Sequence, residues 1–350
     1  MKSLSAIRGR GSALNPKNRF ESIEVIPEPS DPDEVSSPRT QFLADSSKSI
    51  IAYNDSPDVG FDASINPYRG CEHGCVYCYA RPTHEYLGFS AGLDFETKIM
   101  VKRQAPEILR RELSDPKWQP KIVAMSGVTD CYQPVEKKLQ LTRRCLEALL
   151  EFRNPVVIVT KNFLVTRDID LLSELARYQC AAVCISLTTL DPKLTAVMEP
   201  RTSRPARRLA AISALSQANI PVGFLLAPMI PALTDSEAPA IAQAAARAGA
   251  TFGGYVPLRL PHAVKSLFES WLEQHYPEKK EKVLNRIRAV RGGKLNDPNF
   301  HSRMRGEGIF AEQMAELFRL ACKKAGISER RPHLSTAHFR RPSGCQLGLF

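Results

Sequence analysis

The chain has 350 residues and a formal charge of +11, and its 43% apolar and 24% charged content is that of a folded protein with a sizeable core, which excludes wholesale disorder. No apolar run is long enough to span a bilayer, and the N-terminal MKSLSAIRGRGSALNPKNRF lacks the apolar core of a secretory signal. A cytoplasmic protein without membrane attachment is therefore expected.

Residues 1–45 are polar and broken by Pro16, Pro27, Pro29, Pro32 and Pro38, with EPSDPDE between basic ends, so they read as a flexible arm. From FDASINPY (61–68) onward, short apolar runs alternate with longer helical patterns. The runs are KIVAMSG (121–127), PVVIVTK (155–161), CAAVCISL (180–187), IPVGFLLAPMI (220–230) and TFGGYVPLRL (251–260). Helices are predicted over 134–152, 167–178, 204–218, 236–248 and about 262–274, with Asp168, Asp235 and Ser236 as capping residues. Near-continuous apolar runs suit parallel strands buried on both faces, and about six βα units could build a full or partial barrel or a doubly wound sheet. In each case function gathers at the strand ends. A further helix over about 308–325 and a basic tail close the chain. The expected division is an arm (1–45), a barrel (46–260), a helical and basic extension (261–341) and an exposed tail (342–350).

The positive charge favours a polyanionic partner, DNA or RNA, where it is clustered. Three clusters stand out: Arg8, Arg10, Lys17 and Arg19; Arg201, Arg204, Arg207 and Arg208; and Arg330, Arg331, Arg340 and Arg341. Arginines solvated at helix ends are the plainer explanation.

Nine cysteines in a reducing compartment read as ligands, catalytic thiols or buried hydrophobes rather than disulfides. Cys145, Cys180, Cys184 and Cys322 lie in apolar or helical patterns and fit small core residues. The stretch CEHGCVYCYA (71–80) is different, with Cys71, Cys75 and Cys78 close together on one loop. No second CxxC pair follows, which disfavours four-ligand zinc, and a two-cysteine redox motif would leave Cys71 unexplained. Iron–sulfur clusters are normally held by four cysteines, so three in a tight loop imply a cluster with one iron open to an exogenous ligand.

The C-x3-C-x2-C pattern, with Tyr77 before the last cysteine and an initial strand ahead of it, resembles the radical S-adenosylmethionine (SAM) superfamily. RPTHEYLGFSAGLDFETKIMVK after the loop, with TDCYQPVE, TKNFLVTRDIDLL, SLTTLDPKLTAVMEPRT and IPVGFLLAPMIPALTD further on, is similar to the subgroup related to spore photoproduct lyase, over about residues 60–260. The resemblance implies an α/β fold: a partial (β/α)6 TIM-type barrel with a flexible N-terminal arm and a helical, basic C-terminal extension. It implies a [4Fe–4S] cluster on Cys71, Cys75 and Cys78 whose open iron chelates SAM. Reductive cleavage would give a 5′-deoxyadenosyl radical that abstracts hydrogen from a substrate. A low-potential electron donor such as flavodoxin or ferredoxin is implied as a partner. Tyr77 would lie near the adenine, Ser126 and Gly127 near the methionine amino group in place of the family's GGE, Lys161 near the carboxylate, and Ser186 near the carboxylate or ribose. Glu199 is counted with the cofactor-binding residues, and it and Arg201 would pair with each other or close the pocket.

Cys131 and Tyr132 in TDCYQP stand at a strand end where a thiol or phenol could relay a hydrogen atom, a packed thiol being the plainer reading. His84 and Glu85 could act as acid and base, or simply hold the loop. The C-terminal QLGLF resembles, through Gln346, Leu347, Leu349 and Phe350, the peptide with which bacterial polymerases and repair proteins dock on the replication sliding clamp, Gly348 departing from it. The favoured function is radical SAM chemistry on damaged or modified nucleic acid. The alternatives are the same chemistry on a peptide, protein or small metabolite, and a non-catalytic iron–sulfur or zinc protein that binds nucleic acid.

Overall fold

The computed structural model describes residues 6–21 and 38–342. Five short strands open the fold: β1 Gln41–Ala44, β2 Ile51–Tyr53, β3 Ala63–Ile65, β4 Tyr68–Arg69 and β5 Lys98–Val101. Five more follow, β6 Val123–Met125, β7 Val156–Thr160, β8 Ala181–Ser186, β9 Val222–Met229 and β10 Phe252–Pro257. They are separated by the helices Leu141–Phe152, Ile169–Arg177, Pro205–Gln217 and Ala238–Arg247, and β10 is followed by Val264–His275. β3, β6 to β10 and these helices fall on the predicted segments, whereas β1, β2 and β5 do not.

Seven strands form one sheet in the order β10-β9-β8-β7-β6-β3-β2, parallel throughout except for the antiparallel pair β2–β3. From β3 to β10 the spatial order follows the chain order. A doubly wound sheet needs a point where that order reverses, and there is none here, so the crossovers run one way and the helices cover one face. The result is a partial barrel of six parallel strands whose edges, β2 and β10, do not pair with each other.

Side chains alternate accordingly. Val156, Ile158, Val183, Ile185, Val222, Phe224 and Leu226 point into the core under the helices, where each fully buried side chain contributes about 1.5–3 kcal/mol. The intervening positions face the lumen and, apart from Phe252, are mostly small: Ser64, Ala124, Val157, Val159, Ala182, Cys184, Gly223, Leu225, Gly254 and Val256. Val157, Val159, Leu225, Gly254 and Val256 stay partly exposed, so the lumen is open rather than packed. Gly223 is required there, because a Cβ would come within 2.5 Å of the Phe252 ring on the neighbouring strand.

The arm differs from expectation. Arg10 donates to the carbonyls of Glu96 and Pro38, the backbone of Gly11 and Ser12 donates to the Glu96 carboxylate, and β1 pairs with β5 in a second sheet of order β1-β5-β4. The described parts of residues 1–45 are therefore packed against the barrel. Polar composition concealed this because the partners are buried charges rather than apolar faces.

At the other end, helix Ile309–Ala325 packs on Ala238–Arg247, and Phe318 meets Phe224 at 5.8 Å. The gap between the barrel edges is bridged where Arg303 pairs with Asp58 and donates to Ser56 Oγ at 2.8 Å. Among the described residues no helix is long and apolar enough to cross a membrane. QLGLF lies outside the described residues.

Candidate active site

The loop carrying CEHGCVYCYA leaves the first barrel strand and folds over the C-terminal ends of the others. Its backbone is held from several directions: Cys71 N donates to Phe95 O, Val76 N to Met198 O, and Glu72 N to Gln133 Oε1. Gly74 has φ +67, and a Cβ there would meet Glu96 Oε2 at 2.6 Å. That position needs glycine both for its backbone and for space.

Buried charges brace the loop from beneath. Arg81, fully buried, donates to Cys75 O at 3.0 Å and Gly92 O at 2.8 Å and pairs with Glu96. Glu72 accepts from Val135 N at 2.7 Å and pairs with Arg201 at 2.9 Å. His73 meets Asp130 at 3.3 Å and Asn162 at 3.2 Å. Asp130 also accepts from Thr160 Oγ1 and Lys161 N, so one carboxylate ties the loop to the end of β7. Burial works against its charge, but His73 and these hydrogen bonds hold the carboxyl down at about 2.

Cys71 and Cys75 are buried and Cys78 is partly exposed, and none is in a disulfide. Burial pushes all three thiols up; Asp130 and the other two loop thiols raise Cys71 further, while Arg81 and Lys161 oppose the rise at Cys78. Three soft, mutually adjacent thiols with cations beside them fit an iron–sulfur cluster, whose positive iron would deprotonate them on binding.

Around the loop, the predicted residues fall as follows. Lys161, one residue past β7, lies with Nζ 5.8 Å from the Tyr77 ring centroid. Ser126, one residue past β6, has φ +86, a costly conformation for a side-chain-bearing residue. It turns the chain so that Gly127 N and Val128 N both donate to Asn66 Oδ1, at 3.0 and 3.3 Å. Ser186 ends β8, buried at the lumen face. The four strand ends after β3, β6, β7 and β8 thus converge beside the thiol loop.

Glu199 and Arg201 do not pair with each other. Glu199 accepts from the Tyr77 hydroxyl and from Thr188 Oγ1 and pairs with Arg208, which is fully buried and also donates to Ser186 O at 3.0 Å. Burial works to raise the Glu199 carboxyl, yet Arg208, Lys161 and the Tyr77 hydroxyl hold it below its usual range. With both oxygens engaged, Glu199 positions Tyr77 rather than presenting itself to a cofactor. Helix Pro205–Gln217 carries Arg208 back over the site, a contact that neighbourhood in sequence does not show.

Cys131 and Tyr132 are fully buried in the core on the helix side. The Tyr132 hydroxyl donates to Asp168 at 3.1 Å, and Asp168 is pinned by Arg143 and Arg167. Cys131 N donates to Ser126 Oγ at 3.2 Å, so the thiol is packed in the core directly behind the turn that follows β6. His84 is sealed between Phe89 and Phe95, and Glu85 pairs with Arg19. Asn66, Asp130, Arg81 and Arg208 were missed as site residues; INPY and TDCYQP contained two of them without marking their roles.

Such a scaffold, singly wound and open in the lumen, with three thiols and convergent polar groups at the strand ends, is that of an enzyme holding a redox cofactor at its mouth. The chain belongs to the radical SAM superfamily: residues 65–245 match it. An uncharacterized protein of Mycobacterium tuberculosis is 37% identical over 260 residues, covering 73% of this chain and 75% of that one. An uncharacterized protein of Methanocaldococcus jannaschii is 28% identical, covering 63% and 79%. Among solved structures, spore photoproduct lyase complexed with dinucleoside spore photoproduct superposes with a TM-score of 0.58 at 17% identity, covering 82% of this chain and 81% of that one. At that identity the likeness speaks for the fold. The chain is a radical SAM enzyme, which sets aside a purely binding role, and membership implies an iron–sulfur cluster and SAM as cofactors.

Proposed function

We propose that Cys71, Cys75 and Cys78 hold a [4Fe–4S] cluster and that the enzyme acts on damaged or modified nucleic acid. The carrying observation is the placement of the three-thiol loop beside Lys161, Ser126 and Ser186 at the mouth of a lumen lined by small side chains. When bound and reduced by a low-potential electron donor, the cluster and SAM would supply hydrogen-atom abstraction from the substrate.

The chain's own residues do the rest. Lys161 offers its ammonium to the methionine carboxylate, the turn at Ser126 and Gly127 receives the amino group, and the Ser186 hydroxyl serves the ribose or the carboxylate. Tyr77, its hydroxyl tethered to Glu199, presents its ring to the adenine. The open lumen, with Val157, Val159, Leu225 and Val256 partly exposed, leaves room for a substrate beyond the cofactor and offers it an apolar wall.

Support for nucleic acid comes from the positive charge and from the fold shared with a lyase whose structure holds a dinucleoside lesion. The predicted arginine clusters contribute less than their number implies. Arg201 pairs with Glu72, Arg208 with Glu199, Arg207 lies over Phe163 at 3.5 Å, and Arg340 and Arg341 donate to backbone carbonyls.

The test is the rate of 5′-deoxyadenosine formation by reduced, reconstituted enzyme with and without ultraviolet-irradiated DNA. Stimulation by irradiated over intact DNA is expected. Equal rates with every nucleic acid offered, and stimulation by a peptide or metabolite instead, would refute the substrate class.

A further inference from the structure

Large exposed aromatic side chains collect on one side of the site's rim. Phe20 is 55% exposed, Tyr86 73% and Tyr79 51%. Phe20 and Tyr86 stack on each other, with centroids 4.8 Å apart and planes 23° from parallel. The Arg19 guanidinium lies 4.9 Å from the Phe20 ring and is oriented by Glu85 and by His262 Nδ1 at 3.0 Å. Asn18 fastens this segment to the carbonyls of Glu85 and Phe89 at 2.9 Å each. The stack is therefore held on a braced backbone, while its aromatic faces remain open to solvent.

The ledge runs towards the cluster loop through the segment after β10. His262 belongs to that segment, as does Arg259, whose guanidinium lies 5.4 Å from the ring of Tyr79, next to Cys78. Among the described residues Arg259 makes no salt bridge: its Nε is buried without a hydrogen bond and its Nη1 reaches only the Met304 sulfur at 3.3 Å. A part-buried guanidinium with no carboxylate in direct contact, Asp58 and Asp297 acting on it only from farther away, stands beside exposed stacked rings at the mouth of the site and is complementary to a strand whose bases are flat and whose linkages are anionic.

We propose that this ledge binds single-stranded DNA, a base stacking on the open face of Tyr86 over Phe20 and a phosphate meeting Arg259, so that neighbouring nucleotides are held while one is presented to the lumen. This rests on the nucleic-acid reading above. Duplex DNA fits it poorly, because bases inside a helix offer no free faces.

The experiment is fluorescence anisotropy of a labelled single-stranded DNA of about a dozen nucleotides, titrated with the reconstituted full chain over a salt series. Phe20→Leu/Tyr86→Leu, which keeps apolar surface and removes the rings, is expected to weaken binding about tenfold, and Tyr86→Phe to retain it. Arg259→Gln should lower the slope of log affinity against log salt by about 0.7. If the wild type binds and the double leucine variant binds equally well, the ledge is wrong while the nucleic-acid reading stands. Tighter binding of duplex DNA or of RNA likewise overturns it. If the wild type binds no nucleic acid at any salt, the underlying reading fails and the ledge with it.

Discussion

Replacing Glu199 with alanine tests whether the buried charge network holds the site together. Glu199 and Arg208 have side chains 0% and 1% exposed, and the guanidinium's other partners are the neutral oxygens of Ser186, Ser203 and Thr202. Removing one member of a buried pair leaves an uncompensated charge and costs about 3–5 kcal/mol; because Arg208 keeps those oxygens, about 3 kcal/mol is expected for Glu199→Ala. Glu199→Ala/Arg208→Met removes both charges and fills part of the volume, so it should recover about 2 kcal/mol of that loss. Urea unfolding of the reconstituted protein under argon measures both values and that of Arg208→Met alone, with iron per chain as a second readout. The single variant should also retain less iron, since Tyr77 in the thiol loop loses its acceptor. A single-variant loss below about 1 kcal/mol, or a double variant whose loss equals the sum of the two singles within about 0.5 kcal/mol, would refute the reasoning.

Other outcomes follow from the fold, and one from the C-terminal sequence. Burial holds His84 at about 4, below its usual 6.5, outweighing the backbone of Lys98 and Asp94, which favours the charged ring. The unfolded chain therefore binds the proton more readily, and stability of roughly 3 kcal/mol, present above about pH 6.5, should be lost as pH falls towards 4; His84→Leu should flatten that dependence in urea titrations, and an unchanged profile would contradict it. Lys161→Met should weaken SAM binding at least about tenfold by calorimetry with iron content preserved, as expected for loss of a charge-assisted contact; unaltered affinity would remove Lys161 from the cofactor site. Deleting residues 346–350 should abolish retention on immobilised bacterial sliding clamp; equal retention would eliminate the docking peptide.

The barrel strands were legible because a parallel strand covered by helices and closed on a lumen is apolar on both faces, as in PVVIVTK and CAAVCISL. The small sheet was not: Gln41–Ala44 is short and largely exposed, and its pairing with Lys98–Val101 spans more than fifty residues. Helix Ala105–Ser114 escaped because it falls inside the crossover dominated by the thiol motif. At the site, thiol spacing marked the loop, whereas its braces could not be read. Arg81 finds Glu96, Glu72 finds Arg201 and Glu199 finds Arg208 only once the chain has folded. Arg201 and Arg208, read as part of a phosphate cluster, are such braces, while Arg259, in an unremarkable stretch, is a cation without a salt bridge among the described residues.

The most direct measurement is anaerobic reconstitution followed by reduction in the presence of SAM, with iron and 5′-deoxyadenosine quantified for the wild type and for Cys71→Ala, Cys75→Ala and Cys78→Ala. About four irons per chain and release of 5′-deoxyadenosine by the wild type, with both lost in each cysteine variant, is the expected result. A wild type that fills its cluster yet leaves SAM intact, or cysteine variants that still cleave it, would contradict the assignment.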